Sequence, residues 1–150
     1  MPVPAGFTQH VAGHWMKTSD QSGPYTFDGT NMIMAALGTS AASGNVANAS
    51  AVATIAAVAG KTNFLSGLTI TAGGAVAAAL VNATVTGLAG GTATYAFAAP
   101  AGVAAGATPM ALTFNPALPA SAANIAIVVT LPALGAGNTN AAVTAWGYTQ

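Results

Sequence analysis

TATYAF, residues 92–97, alternates Thr92, Thr94 and Ala96 with the larger, more apolar series Ala93, Tyr95 and Phe97. A repeat of two puts one set on each face of an extended strand, whereas a helix would scatter both around its axis. The same period recurs to either side. Met110, Leu112 and Phe114 share a face, and Ile125, Ile127, Val129 and Leu131 form another row. Carried outward, the reading gives strands at Val46–Val58, Asn63–Thr71, Ala75–Thr86, Thr92–Ala98, Thr108–Phe114, Asn124–Leu131 and Ala141–Tyr148. Turn residues separate them: Ala72-Gly73-Gly74, Gly87–Gly91, Asn115-Pro116 and Gly135–Asn138. Seven or eight short strands without a long helix predict an all-β, antiparallel β-sandwich over residues 46–150.

The faces turned away from that core carry Thr, Asn and Ser where Lys and Glu are usual. Charged residues are 3% of the 150-residue chain, against about 25% in an ordinary globular protein. Three of the four, Lys17, Asp20 and Asp28, precede the sandwich; only Lys61 lies within it, and Thr62–Gln150 has none. Charge keeps neighbouring molecules apart and guards the open edges of sheets. Its loss predicts a surface that packs against other protein, and so a structural subunit rather than an enzyme. Much of the 53% hydrophobic content is Ala, which buries little area per residue, so contacts between subunits are expected to add to a thin core.

Zero net charge leaves no basic footprint for nucleic acid. Without cysteine there are no disulfides, thiol chemistry or Cys-ligated zinc. Mean hydropathy is +0.62, yet Asn, Thr, Ser, Gly and Pro break every apolar run well before the roughly 20 residues of a membrane helix. Strands of about 10 residues with paired aromatic girdles, the mark of a membrane barrel, are also too few. MPVPAGFTQHVAGHW lacks the basic start and apolar run of a signal peptide.

Residues 1–45 differ in character. They hold His10, His14 and four aromatics, and are read as an extended N-terminal arm with one short helical turn at Asn31–Leu37 (NMIMAAL). Gly38–Asn45 (GTSAASGN) reads as a connector. Phe7, Trp15, Tyr25, Phe27, Met32 and Met34 have no sandwich pattern of their own and are the candidate partner-binding residues of this arm.

Chemistry-bearing patterns are few. Ala59-Gly60-Lys61-Thr62 has the tail of a phosphate-binding loop, but Ile55 stands where its first glycine belongs and no helix is expected to follow, so Lys61 is read as a turn residue. His10 and His14 have the i, i+4 spacing of metal ligands on a helix; Gly13, Pro2 and Pro4 oppose the helix, and no third ligand is evident. Asp20 and Asp28 are the only acids and no histidine follows them, so no hydrolytic triad or carboxylate pair is read, and neither catalytic residues nor a cofactor are expected. Asn48-Ala49-Ser50 and Asn82-Ala83-Thr84 match glycosylation sequons and are taken as chance matches. Trp146 and Tyr148 alternate and have the makings of a sugar-stacking platform, but packing on a sheet or an interface is the reading preferred here.

Three stretches, AGKTNFLSGLTITAGGA (Ala59–Ala75), VTGLAGGTATYAF (Val85–Phe97) and Thr108–Tyr148, resemble small jelly-roll proteins encoded among the structural genes of tailed bacteriophages, including the head-decoration or cement proteins of HK97-like capsids. The resemblance implies an eight-stranded jelly roll, a homo-dimer or homo-trimer outside the capsid, bound to the major capsid protein and bridging capsomers. It brings no catalytic residues. Related jelly rolls in tails and fibres imply the alternative, a module binding host carbohydrate through Trp146 and Tyr148.

Overall fold

A computed structural model describes residues 7–9, 15–17, 25–27, 32–34, 37–102 and 109–150, with the backbone alone up to Leu37. Every regular element described is a strand: β1 (Phe7–Gln9), β2 (Trp15–Lys17), β3 (Tyr25–Phe27), β4 (Met32–Met34), β5 (Leu37–Ala42), β6 (Ala51–Ile55), β7 (Asn63–Gly73), β8 (Ala79–Leu88), β9 (Gly91–Ala99), β10 (Met110–Pro119), β11 (Ile127–Leu131) and β12 (Asn140–Thr149). Among the described residues no helix is long and apolar enough to cross a membrane.

The chain divides into two compact units, Met1–Leu37 and Gly38–Gln150. In the first, β1 pairs antiparallel with β2, and β3 with β4. The second is a β-sandwich of two antiparallel four-stranded sheets, ordered β10-β7-β12-β5 and β6-β11-β8-β9. Counted along the sandwich, these orders are sixth-third-eighth-first and second-seventh-fourth-fifth. Only β8 and β9 are neighbours both in sequence and in a sheet; every other connection crosses between sheets.

Alternation places the core. Ala51, Ala53 and Ile55 of β6, Ile127, Val129 and Leu131 of β11, and Ala141, Val143 and Ala145 of β12 point inward and are buried, while the residues between them stay at least partly exposed. Met110, Leu112 and Phe114 of β10 pack half-buried against this cluster, beside Tyr95 of β9. In β7 the register slips between Leu65 and Gly67, so that Trp146 stands opposite Gly67 and Gly147 opposite Leu65. That bulge lets Leu65 and Leu68, three residues apart, both reach the core with no exposure.

Two expectations change. The connector Gly38–Asn45 contains β5, an edge strand beside β12, and Ser43 N–H continues the contact to the Val143 carbonyl at 2.9 Å. The sandwich therefore starts before residue 46. Small residues look like a linker because they carry no apolar alternation, but the hydrogen-bonding edge of β12 pairs with backbone whatever the side chains. The helical turn expected at Asn31–Leu37 is replaced by β4 and the start of β5; a run that short follows whichever backbone pairing is available rather than its own helical tendency. Elsewhere the expected strands stand with shifted ends. Val46–Val58 narrows to Ala51–Ile55, Val46 forming a separate bridge to Ala141.

Candidate interaction surface

On the outer face of the sheet β6-β11-β8-β9, strand register brings Val52, Thr130, Thr84 and Thr94 into one row across all four strands. A second row runs Thr54, Val128, Thr86. All seven positions are β-branched, which suits a strand, and each presents a methyl together with either a second methyl or a hydroxyl. Such a surface accepts another protein without the desolvation cost of burying an ion. Towards the far end of β8, Asn82 pairs with Ala96 and Leu80 with Ala98; Leu80 is 75% exposed.

The outer face of the other sheet carries the aromatic residues. Trp146 lies across Gly67, where an added methyl would strike the indole and come within 2.6 Å of the Leu112 carbonyl oxygen. Tyr148 stacks on Phe64, with ring centroids 4.8 Å apart and planes 11° from parallel. Thr69 pairs with Thr144, and Thr113 with Gly67, so hydroxyls flank the rings. All three aromatic side chains are half-buried. Trp146 gives one ring face to its own sheet and Tyr148 gives one to Phe64, which is the packing role preferred for this pair from sequence. Phe64 itself was missed as their companion; Gly67 within a strand pattern, a usual mark of a bulge or close approach, was the signal that could have found the slot.

The four sheet edges differ. β10 pairs irregularly with β7 between Thr113 and Leu118 and contains Pro116 and Pro119. β6 has five residues and β5 six. β9 has nine, Gly91–Ala99, with neither proline nor charge. Beside its start lies a groove of about 210 Å³ lined by Leu88, Gly90, Gly91, Thr92, Ala93, Leu118 and Pro119.

Lys61 is the only charged side chain described, exposed in the turn between β6 and β7. Gly60 precedes it at φ 71° and donates its N–H to Asn124 Oδ1 at 2.6 Å; a strand follows, as expected for a turn lysine. Asn63, by contrast, is a buried polar residue that no motif flagged. Its Nδ2 donates to the carbonyls of Ala56 at 2.9 Å, Ile125 at 3.0 Å and Ile55 at 3.5 Å, while its Oδ1 accepts the Thr149 hydroxyl at 2.8 Å.

Of the candidate partner-binding residues, Phe7 stands opposite Lys17 and Trp15 opposite Gln9 in the first hairpin; Tyr25 is opposite Met34 and Phe27 opposite Met32 in the second. His10, His14, Asp20 and Asp28 lie outside the described residues. No family model, curated protein or solved structure matches the chain.

Proposed function

We propose that this protein is a structural subunit of a phage virion: a jelly-roll decoration, or cement, protein that binds the outside of an HK97-like shell, contacts the major capsid protein and bridges capsomers. The observation that carries the reading is the sandwich surface, whose two outer faces present hydroxyls, methyls and aromatic rings with Lys61 the only charge described. A surface of this kind is a liability for an isolated molecule and an asset in a lattice, where repeated weak contacts act together at high effective concentration. The strand order supports the jelly-roll assignment, because two interlocked Greek keys produce the orders sixth-third-eighth-first and second-seventh-fourth-fifth. No chemistry is required of it; attachment works by burial of area and strand pairing.

The test is attachment to purified particles and its response to salt. With no charge from Thr62 to Gln150, ions have little attraction to screen, and salt strengthens apolar contact if it acts at all. Retention at about 1 M salt, where the Debye length is near 3 Å, in a stoichiometry set by the shell lattice is the expected result; wholesale release or absence from particles refutes it. A second reading, a tail or fibre module binding host carbohydrate, is favoured by one observation, the row of Phe64, Trp146 and Tyr148 on an outer face. It predicts a few to tens of copies per particle, where decoration predicts hundreds, and loss of glycan binding in Trp146→Ala.

A further inference from the structure

We infer that β9 is a self-association edge, along which a second copy of this chain adds its own β9 antiparallel to make one continuous eight-stranded sheet. Four observations lead there. First, β9 ends its sheet, and among the described residues no backbone hydrogen bond ties Gly91–Ala99 to anything but β8; alternate residues of such a strand direct N–H and C=O groups outward, free to pair. Second, the other edges are short or interrupted by proline, while β9 offers nine residues with neither proline nor charge. Third, Leu80, 75% exposed, shares a row with Ala98 at that edge, and the small Ala98 leaves it open from the side where a new strand would lie.

The fourth observation is that the strand complements itself. A two-fold axis at Tyr95, the middle of Gly91–Ala99, engages every residue. Thr92 then meets Ala98 of the second copy and Thr94 meets Ala96 on the outer face; Ala93 meets Phe97 on the inner face, small against large. Thr92 enters the row of Leu80 and Ala98 and covers the exposed leucine. The absence of charge from Thr62 to Gln150 removes like-charge repulsion along this edge. This goes beyond the proposed function and does not depend on attachment to a shell, so it is tested on the free protein and the two can fail separately.

Sedimentation of the purified chain at micromolar concentrations should show a dimer. Thr94→Lys/Ala96→Lys places like charges directly opposite each other in this register and should weaken the dimer at least tenfold. Thr94→Asp/Ala96→Asp should do the same, and an equimolar mixture of the two variants should restore a heterodimer. Both positions are exposed, and circular dichroism checks that the fold survives. Because the chain has no cysteine, Thr94→Cys and Ala96→Cys give a second, charge-free readout. Opposed residues lie about 4.5–5.5 Å apart between Cα atoms, within disulfide reach, whereas identical positions in the two copies lie diagonally, roughly 7–8 Å apart, beyond it. The mixture should therefore cross-link on oxidation and neither variant alone. A monomeric parent, a lysine variant that dimerises like the parent, or cross-linking independent of mixing overturns the proposal.

Discussion

Asn63 shows what one amide does where two sheets meet. Its donors reach carbonyls at the end of β6 and just before β11, and its acceptor holds the last residue of β12, so a single side chain clasps four strand ends. Asn63→Ala leaves those groups short of partners and should cost about 1–3 kcal/mol in chemical denaturation. Asn63→Asp should cost more, since a carboxylate would face three carbonyl oxygens. Burial and those oxygens raise its pKa in the folded state, so the variant should regain stability as pH falls and the neutral acid becomes a donor; a pH series of denaturation curves checks the sign. Gly67 is a second pivot. Gly67→Ala meets the fixed Leu112 carbonyl as well as the Trp146 ring, so it should destabilise by about 1–3 kcal/mol and shift tryptophan fluorescence as the indole moves. Gly67 left a trace in the sequence, a glycine inside a strand pattern, but the role of Asn63 was not legible there. A lone Asn at a strand start looks like any turn residue, and its importance comes from Ile125 and Thr149, more than sixty residues away.

The elements were legible wherever a side-chain period existed. β9, β11 and β12 alternate visibly and stand close to where alternation put them; β5 is GTSAA after Leu37 and shows no period. What makes it a strand is the free edge of β12, a property of the fold and not of those residues. The threonine rows lie between these extremes. Alternation marked Thr94 as outward, but only pairing aligns it with Thr84, Thr130 and Val52. Lysine scanning tests what that alignment is for. Thr84→Lys, Thr94→Lys and Thr144→Lys should each leave the sandwich folded, and Thr84→Lys and Thr144→Lys should change the stability of the free protein by no more than about 0.5 kcal/mol. On particles, a substitution within the contact should weaken attachment by several times that energy, because it buries an unpaired ammonium. If all three assemble like the parent, the neutral surface is not what binds.

At the level of the whole molecule, the division of the chain into Met1–Leu37 and Gly38–Gln150 makes truncation informative. Removing residues 1–36 keeps β5 and should leave the melting temperature of the sandwich unchanged while reducing retention on particles, if the candidate residues Phe7, Trp15, Tyr25, Phe27, Met32 and Met34 bind a partner. Removing residues 1–45 also deletes β5 and bares the long edge of β12; that variant should aggregate, measured by light scattering. The strand order has a consequence for the way the chain becomes this object. Since β8 and β9 are the only sandwich strands that pair with a neighbour in sequence, their hairpin is the one piece of the sandwich that can form cheaply and early; every other pairing within it must first close a long loop. β5 is synthesised before the rest of the sandwich, yet its partner β12 emerges after every other strand. During synthesis the first strand of the sandwich waits unpaired for the last, and a nascent chain with almost no charge holds its neighbours off poorly during that interval.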